Sequence, residues 1–226
     1  MDCVNCKFRS RTASYLNNEE LGYMSSNCAV VKHKAGEIII KEGMHSTHVA
    51  YIKSGLAKVH KEAGPEGIET ILKLSGAGSY IGIQTVLADP VHQFSVTCLD
   101  DSELCYIDIH SFRELLRRNP AFSYETILYL CQDELQHFNR LISLSNRQVN
   151  GRIAHALLCF SSLRGEQENQ FTLPLSRTEI GSLVNASRES VSRVLQNFHQ
   201  SGIIELNGKK LVILNRAMLN TLALKG

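Results

Sequence analysis

At 226 residues with 43% hydrophobic side chains, the chain is long enough for one large domain or two ordinary ones, each with its own core. No apolar run approaches the ~18 residues needed to span a bilayer, and the polar start "MDCVNCKFRSR" lacks the apolar centre of a signal peptide, so the sequence predicts a cytoplasmic protein with no membrane partner. The net charge of +2 hides an asymmetry: residues 1–147 carry 15 Lys and Arg against 17 Asp and Glu, whereas residues 148–226 carry 9 against 5, and a basic C-terminal third suits a polyanion.

Cys3-x-x-Cys6 opens the chain with the close spacing of metal or cluster ligands. Seven cysteines, an odd number at irregular intervals, favour reduced thiols or metal ligands over a disulfide framework. Two readings stay open. In the preferred one no metal is bound, Cys3 and Cys6 lie in a loose tail, and Cys28, Cys98, Cys105, Cys131 and Cys159 are small buried hydrophobes. In the other, zinc sits on Cys3, Cys6, Cys28 and His33.

From Val30 to about Ile109 the chain reads as short strands: 36–40, 49–60, 68–74, 94–99 and 102–108, rich in β-branched and aromatic residues. Gly43, Gly55, "AGPEG" (63–67), "SGAGS" (75–79) and "ADP" (88–90) punctuate them. Many short strands at even spacing predict an antiparallel sandwich or barrel. His45, His48, His60 and His92 raise a barrel metalloenzyme of the cupin sort. The His-x-His and glutamate spacing of such enzymes is absent, so surface or strand histidines are the simpler account, and no nucleophile–base set supports another enzyme class.

At Ser111 the character changes. "SFRELLRRNP" predicts a short helix stopped near Pro120, followed by about 25 residues free of Gly and Pro. Within them Ala121, Tyr124, Leu128, Cys131, Leu135, Phe138, Ile142 and Ser145 fall at alternating steps of three and four, an a/d seam for helix-to-helix coiling. A second row, Ile127, Leu130, Leu141 and Leu144, lies on an adjacent face. One face is free to pack on the barrel while Tyr124, Leu128, Cys131, Leu135, Phe138 and Ile142 meet a second copy.

Beyond Asn150, "RIAHALLCFSSL" predicts an amphipathic helix, then a polar loop ("RGEQENQ") and a strand-like "FTLPL". Ser176 with Glu179 forms a capping-box pattern, "NAS" a turn, and Ser187 the next N-cap. Gly202 stands where a helix C-terminal glycine belongs, and Asn207-Gly208 between β-branched runs predicts a hairpin. Helix, turn, helix and hairpin make a winged helix-turn-helix. Val191, Val194, Leu195 and Phe198 back the second helix, leaving Arg188, Glu189, Ser192 and Arg193 to read base edges. Arginine donates twice to guanine O6 and N7, and glutamate accepts from cytosine N4. Ser176, Arg177, Ser187 and Lys209 are the phosphate candidates.

The stretch "LSRTEIGSLVNASRESVSRVLQNFHQSGII" resembles the DNA-binding motif of the CRP/FNR family of bacterial transcription regulators, and the resemblance covers nearly the whole chain. It implies an α+β fold: a β-roll of the cyclic-nucleotide-binding, jelly-roll type with a cysteine-bearing N-terminal tail (1–110), a short helix and long dimerisation helix (111–147), and a winged helix-turn-helix (148–226). It implies a homodimer on double-stranded DNA, with RNA polymerase as partner, and assigns the reading of a G·C pair in each half-site to Arg188, Glu189 and Arg193. Ser192 is like the FNR branch and Arg188 like the cyclic-AMP branch, so a palindrome with a TGA-like core is expected.

The family's nucleotide-binding members carry a Gly-Glu pair and then a phosphate-gripping arginine. In the matching stretch, "GSYIGIQTVLADPVHQFSV", Ile83 follows Gly82, and no arginine occurs between Arg11 and Arg113. The lysines of this region (Lys32, Lys34, Lys41, Lys53, Lys58, Lys61 and Lys73) fall mostly where side chains face water. Without a bidentate, permanently charged partner a buried phosphodiester is poorly held, which argues against cyclic AMP. Cys105 resembles the fourth cluster ligand of the oxygen-sensing FNR branch. The third ligand there follows the CxxC closely, whereas here 21 residues separate Cys6 from Cys28. An iron–sulfur cluster on Cys3, Cys6, Cys28 and Cys105 therefore requires the N-terminal segment to fold back, and the cofactor is otherwise unknown. The expected function is a dimeric DNA-binding regulator, not an enzyme, controlled at its β-roll or its cysteines. The rivals are a cupin-type metalloenzyme with a DNA-binding tail and a ligand-independent repressor.

Overall fold

A computed structural model describes residues 3–63, 68–164 and 169–225. Residues 64–67 of the turn expected at 63–67 and the middle of the polar loop at 164–170 lie outside the described residues. The chain forms two compact units, Met1–Gly64 with Leu72–Gln136, and Pro65–Ile71 with His137–Gly226.

Eight strands, all but residues 68–71 of them in the first unit, build two four-stranded sheets. They are β1 (Cys28–His33), β2 (Ile38–Ile40), β3 (His48–Ser54), β4 (Leu56–Ala63), β5 (Ile68–Gly76), β6 (Tyr80–Ile81), β7 (Ser95–Cys98) and β8 (Ser102–Asp108). The sheet orders are β1-β8-β3-β6 and β2-β7-β4-β5. The single run expected over 49–60 divides at Gly55, whose φ is +99° and where a Cβ would stand 2.1 Å from Ser102 Oγ. Only glycine turns the chain there.

Alternation along β3 and β8 sorts their side chains into two cores. Ala50, Ile52 and Leu104 join Ala57, Val59, Val96 and Cys98 inside the roll. Val49, Tyr51, Cys105 and Ile107 point the other way, into a cluster with Cys3, Ala13, Leu16, Leu21, Met24, Tyr80 and Phe112. The N-terminal segment is therefore not a loose tail. A 3-10 turn (Thr12–Tyr15) and α1 (Asn18–Ser26) close over the sheet. Asn17 and Glu20 cap α1 reciprocally, the Glu20 amide donating to Asn17 Oδ1 at 2.9 Å and the Asn17 amide to Glu20 Oε2 at 2.9 Å.

A one-turn α2 (Gln84–Leu87) precedes β7, and α3 (Ile109–Arg118) follows β8. Pro120, where the short helix was expected to stop, is the first residue of α4 (Pro120–Asn146). Asn119 Oδ1 accepts from the Phe122 amide at 2.9 Å, so Asn119 caps a helix whose first position is proline. Phe122, Glu125 and Thr126 are buried along the inner side of α4, and the Lys73 ammonium binds the Asp133 carboxylate at 2.6 Å.

The second unit holds α5 (Val149–Arg164), β9 (Gln170–Thr172), α6 (Arg177–Val184), α7 (Arg188–Gln200), β10 (Ile204–Asn207), β11 (Lys210–Ile213) and α8 (Arg216–Lys225). Its antiparallel sheet runs β10-β11-β9. Of "FTLPL" only Phe171 and Thr172 are strand, because Pro174 supplies no amide to a ladder. The hairpin loop is Gly208-Lys209, one residue later than Asn207-Gly208, since Asn207 pairs with Lys210. Gly208 alone in the loop has positive φ, 61°, which suits a turn that asks for glycine at its first central position. The C-terminal helix α8 packs on α5 through the buried Leu219 and Ala223.

Candidate DNA interface and cysteine cavity

The helix-turn-helix is assembled by side-chain caps and one close approach. Ser176 and Glu179 complete the capping box of α6, with the Glu179 amide donating to Ser176 Oγ at 3.2 Å and the Ser176 amide to Glu179 Oε2 at 2.8 Å. Asn185 ends α6 in the left-handed region (φ 51°), and the Ala186 amide donates back to Gly181 O at 2.9 Å. The turn then lies so near α6 that a Cβ on Gly181 would meet Ala186 O at 2.5 Å. Ser187 caps α7 by accepting from the Ser190 amide at 3.1 Å. At the far end, Ile203 N donates to Phe198 O and Gly202 N to His199 O, with Gly202 at φ +66°. That is the two-bond glycine stop expected from the sequence.

This frame fixes what α7 shows. Val191, Val194, Leu195 and Phe198 are buried, while Arg188, Glu189, Ser192 and Arg193 are exposed and line one open groove with Gln196, Asn197 and Gln200. The Glu189 carboxyl is held below its usual range by its own backbone N–H and the Ser187 hydroxyl, so it presents an acceptor. Ser192 Oγ donates to Arg188 O at 3.0 Å, which leaves its oxygen lone pairs as the outward feature. Among the phosphate candidates, Ser176 and Ser187 spend their hydroxyl oxygens as caps. The first-turn amides of the helices, the half-buried Arg177 and the exposed Lys209 of the hairpin loop are what remains for a backbone.

The α4 seam is uncovered: Tyr124, Leu135, Phe138 and Ile142 are each half or more exposed, and Cys131 is exposed with them. Leu128 is half-buried. Ile127 and Leu141 of the second row are exposed as well.

In the β-roll, Ile83 is 2% exposed, packed with Tyr80 and Val86, so its side chain fills core where a ribose acceptor was sought. Two residues that the sequence did not mark hold this stretch in shape. Arg113 donates from Nε and Nη2 to Val86 O (3.1 and 2.7 Å), and Thr85 Oγ1 donates to Gly82 O at 2.6 Å. His92 is buried against Gly82, and burial pushes its imidazole below the usual range. The expectation of water-facing lysines fails in part. Lys58 is buried on β4, and Lys53, Lys61 and Lys73 are paired with Glu103, Glu42 and Asp133, so their charges are already matched.

The cysteines divide differently from expectation. Cys98 is a core residue, but Cys131 and Cys159 are exposed. Cys3, Cys6, Cys28 and Cys105 come together around one cavity of about 30 Å³, with Tyr51 and Tyr80 in its wall. The β1–β8 register sets Cys105 opposite Val30, two residues from Cys28 along the same face, and the folded-back N-terminus brings Cys3. Cys28 hydrogen-bonds to Cys105 and to Cys3, which holds its own thiol up and draws that of Cys105 down. His33 is not among them. Its Nδ1 pairs with Glu37 at 2.8 Å and its Nε2 with the Tyr106 hydroxyl at 2.9 Å, so the zinc set is not assembled. Four thiols are the donor set of an iron–sulfur cluster. Here, however, the thiols of Cys3 and Cys105 hydrogen-bond to that of Cys28 around space for about one water, and no group of three His, Cys, Asp or Glu among the described residues is arranged to hold a metal ion. As packed, the site does not fit a cluster.

The cyclic nucleotide-binding domain profile matches residues 30–119, and the Crp-like helix-turn-helix domain profile matches residues 151–222. The CRP-like cAMP-activated global transcriptional regulator of Mycobacterium tuberculosis is 29% identical over 181 residues, 79% of this chain and 80% of that one. The transcriptional activator protein FnrA of Stutzerimonas stutzeri is 28% identical over 195 residues, 84% of this chain and 78% of that one. The fold is that of FixK2 from Bradyrhizobium japonicum, with a TM-score of 0.77 at 22% identity over 86% of this chain and 96% of that one. Sensor profile, helix-turn-helix profile and relatives agree, and the chain belongs to the CRP/FNR family of DNA-binding transcription regulators.

Proposed function

We propose that the protein works as a homodimer on a palindromic operator and takes its signal at the cysteine cavity, not from a cyclic nucleotide. The observation that carries the DNA reading is α7. One side of it is wholly committed to the core, and the other presents Arg188, Glu189, Ser192 and Arg193 with no competing salt bridge among the described residues. Arg188 and Arg193 suit guanine, Glu189 suits cytosine, and Arg177 and Lys209 suit phosphates.

A second copy of the chain is the partner for α4. Tyr124 to Ile142 spans about 27 Å of helix, and an exposed apolar strip that long marks an interface. Its a/d spacing makes it complementary to itself. A signal that biases α4 then sets the separation of two recognition helices. Cyclic AMP is disfavoured because Ile83 is built into the core and no arginine lies between Arg11 and Arg113. RNA polymerase is carried as a further partner on family resemblance alone. We assign no enzymatic activity and a cytoplasmic location.

Selection from a random DNA pool, followed by isotherms on the recovered site, tests the reading. A two-fold symmetric consensus with TGA-like halves is expected. Binding without any recoverable consensus overturns sequence specificity.

A further inference from the structure

The N-terminal segment that closes the cysteine cavity is tied to one residue of the sheet. Ser10 Oγ and Thr12 Oγ1 hydrogen-bond the Tyr80 hydroxyl at 2.6 and 2.9 Å, and to each other at 3.0 Å, all of it buried. The Ala13 amide donates to Ser10 Oγ at 3.0 Å, so the hydroxyls are fixed to the backbone turn. Tyr80 also lines the cavity beside Cys3, Cys28 and Cys105.

The other end of the same residue is tied to α4. Strand β6 is an edge of its sheet, and an edge leaves backbone groups without a ladder partner. The Tyr129 hydroxyl fills that role, accepting from the Tyr80 amide at 2.9 Å and donating to Tyr80 O at 3.2 Å. The two rings meet edge to face, 5.6 Å apart, and the Tyr80 ring is wedged against Tyr51 and Phe112 as well. A direct strut runs in parallel, Arg11 Nε to the buried Glu125 carboxylate of α4 at 3.1 Å.

Resting on the reading of the cysteines as the signal site, we propose that Tyr80 is the positioning residue that couples the N-terminal segment and its cysteine cavity to α4. The physical reason is packing. The cavity opens on one side, but Cys3 and Cys105 are buried in its packed wall, so an oxidised, alkylated or metal-ligated sulfur at either displaces a neighbour. Cys28, Tyr51, Tyr80 and Cys105 are held in ladders, whereas the N-terminal wall is held by side-chain hydrogen bonds, so it is the wall that yields. Its displacement pulls on the Tyr80 hydroxyl, and the ring and backbone of Tyr80 are seated against Tyr129.

The test is a double-mutant cycle on the full chain, read by hydrogen exchange of α4 amides 121–136. Tyr80→Phe removes the link to the N-terminal segment, and Tyr129→Phe the link to the helix. Ser10→Ala with Thr12→Val cuts the first link without touching the tyrosine, should Tyr80→Phe fold poorly. Each cut is expected to speed exchange about three- to tenfold, and the two together no more than the larger one. Methyl methanethiosulfonate, applied to chain carrying Arg11→Ala, Cys131→Ser and Cys159→Ser so that the parallel strut is absent, should alter α4 exchange with Tyr129 in place and leave it unchanged with Tyr129→Phe. Multiplying single effects, or an unaltered response to the reagent in Tyr129→Phe, overturns the coupling. A coupled cycle whose parent shows no response of α4 or of operator binding to the reagent keeps the coupling and removes the cysteines as the signal site.

Discussion

Gly181 and Gly22 both sit inside helices, and the same substitution at each should move stability in opposite directions. Alanine in a helix interior gains about 1 kcal/mol over glycine from reduced chain entropy. At Gly22 nothing lies within 4 Å of the new Cβ, so Gly22→Ala keeps that gain. At Gly181 the Cβ would stand 2.5 Å from Ala186 O, about 1 Å inside ordinary contact. The turn cannot back away freely, because Ala186 N is bonded to Gly181 O and Asn185 is already left-handed. Overpacking costs about 1–3 kcal/mol, and loosening that hydrogen bond about 1 kcal/mol more. Net of the helix gain, Gly181→Ala should lose roughly 1–3 kcal/mol, a drop of about 4–8 °C per kcal/mol for a domain of this size. Circular-dichroism melts of the full chain measure both variants. Operator affinity should fall with Gly181→Ala, since the turn sets the angle between α6 and α7, and hold with Gly22→Ala. A Gly181→Ala protein that melts at or above the parent would refute the close-approach reasoning.

Three further outcomes are expected. Arg193→Ala should erase preference at the half-site guanine, about 1–3 kcal/mol per half-site, while Lys209→Ala weakens matched and mutated operators alike and lowers the salt slope; isotherms at two salt concentrations separate them. Leu135→Asp with Phe138→Asp places charges in the α4 seam, and sedimentation should show a dimer for the parent and a monomer for the variant, with operator binding lost. Calorimetric titration with cyclic AMP and cyclic GMP should show no micromolar binding, because Ile83 leaves a ribose hydroxyl unpaired and no arginine meets the phosphate.

Which parts were legible follows from where the information lies. The strand at 102–108, the two caps Ser176 and Ser187, and the Gly202 stop were readable because each is a local rule, satisfied within four or five residues. The hairpin loop slipped by one residue because Asn-Gly marks a turn without fixing its register, which the Asn207–Lys210 pair decides. Gly181 carried a signal that went unused: a glycine within a helix, five residues before a tight turn, is where a backbone is approached closely. Asn17-x-x-Glu20 likewise spells a capping box, and would have found α1. Arg113 and Tyr129 offered no such signal. Their partners, Val86 O and the Tyr80 backbone, are contributed by distant segments and exist only once the roll has closed.

The placement of residues 3–16 shows what long-range burial adds to local pattern. Read alone, "CVNCKFRSRTASYL" has too few apolar residues to earn a place in a core. Yet β3 buries four consecutive residues, Val49 to Ile52, which a strand with one solvated face does not do. Half of them, Val49 and Tyr51, together with Cys105 and Ile107 of β8, require a cover outside the roll. Cys3, Ala13 and Leu16 supply it, with α1 and α3 beside them. The apolar demand of the sheet's outer face therefore draws the CxxC end inward, and drawing it inward is what joins Cys3 and Cys6 to Cys28 and Cys105 despite the 21 residues between. Among the described residues of that cover, 3–16, the buried polar side chains are Ser10 and Thr12, and the hydroxyls of both are spent on Tyr80. Cover, cavity and tyrosine thus stand or fall as one structural unit, which is why a chemical change at the thiols has a route to the long helix at all.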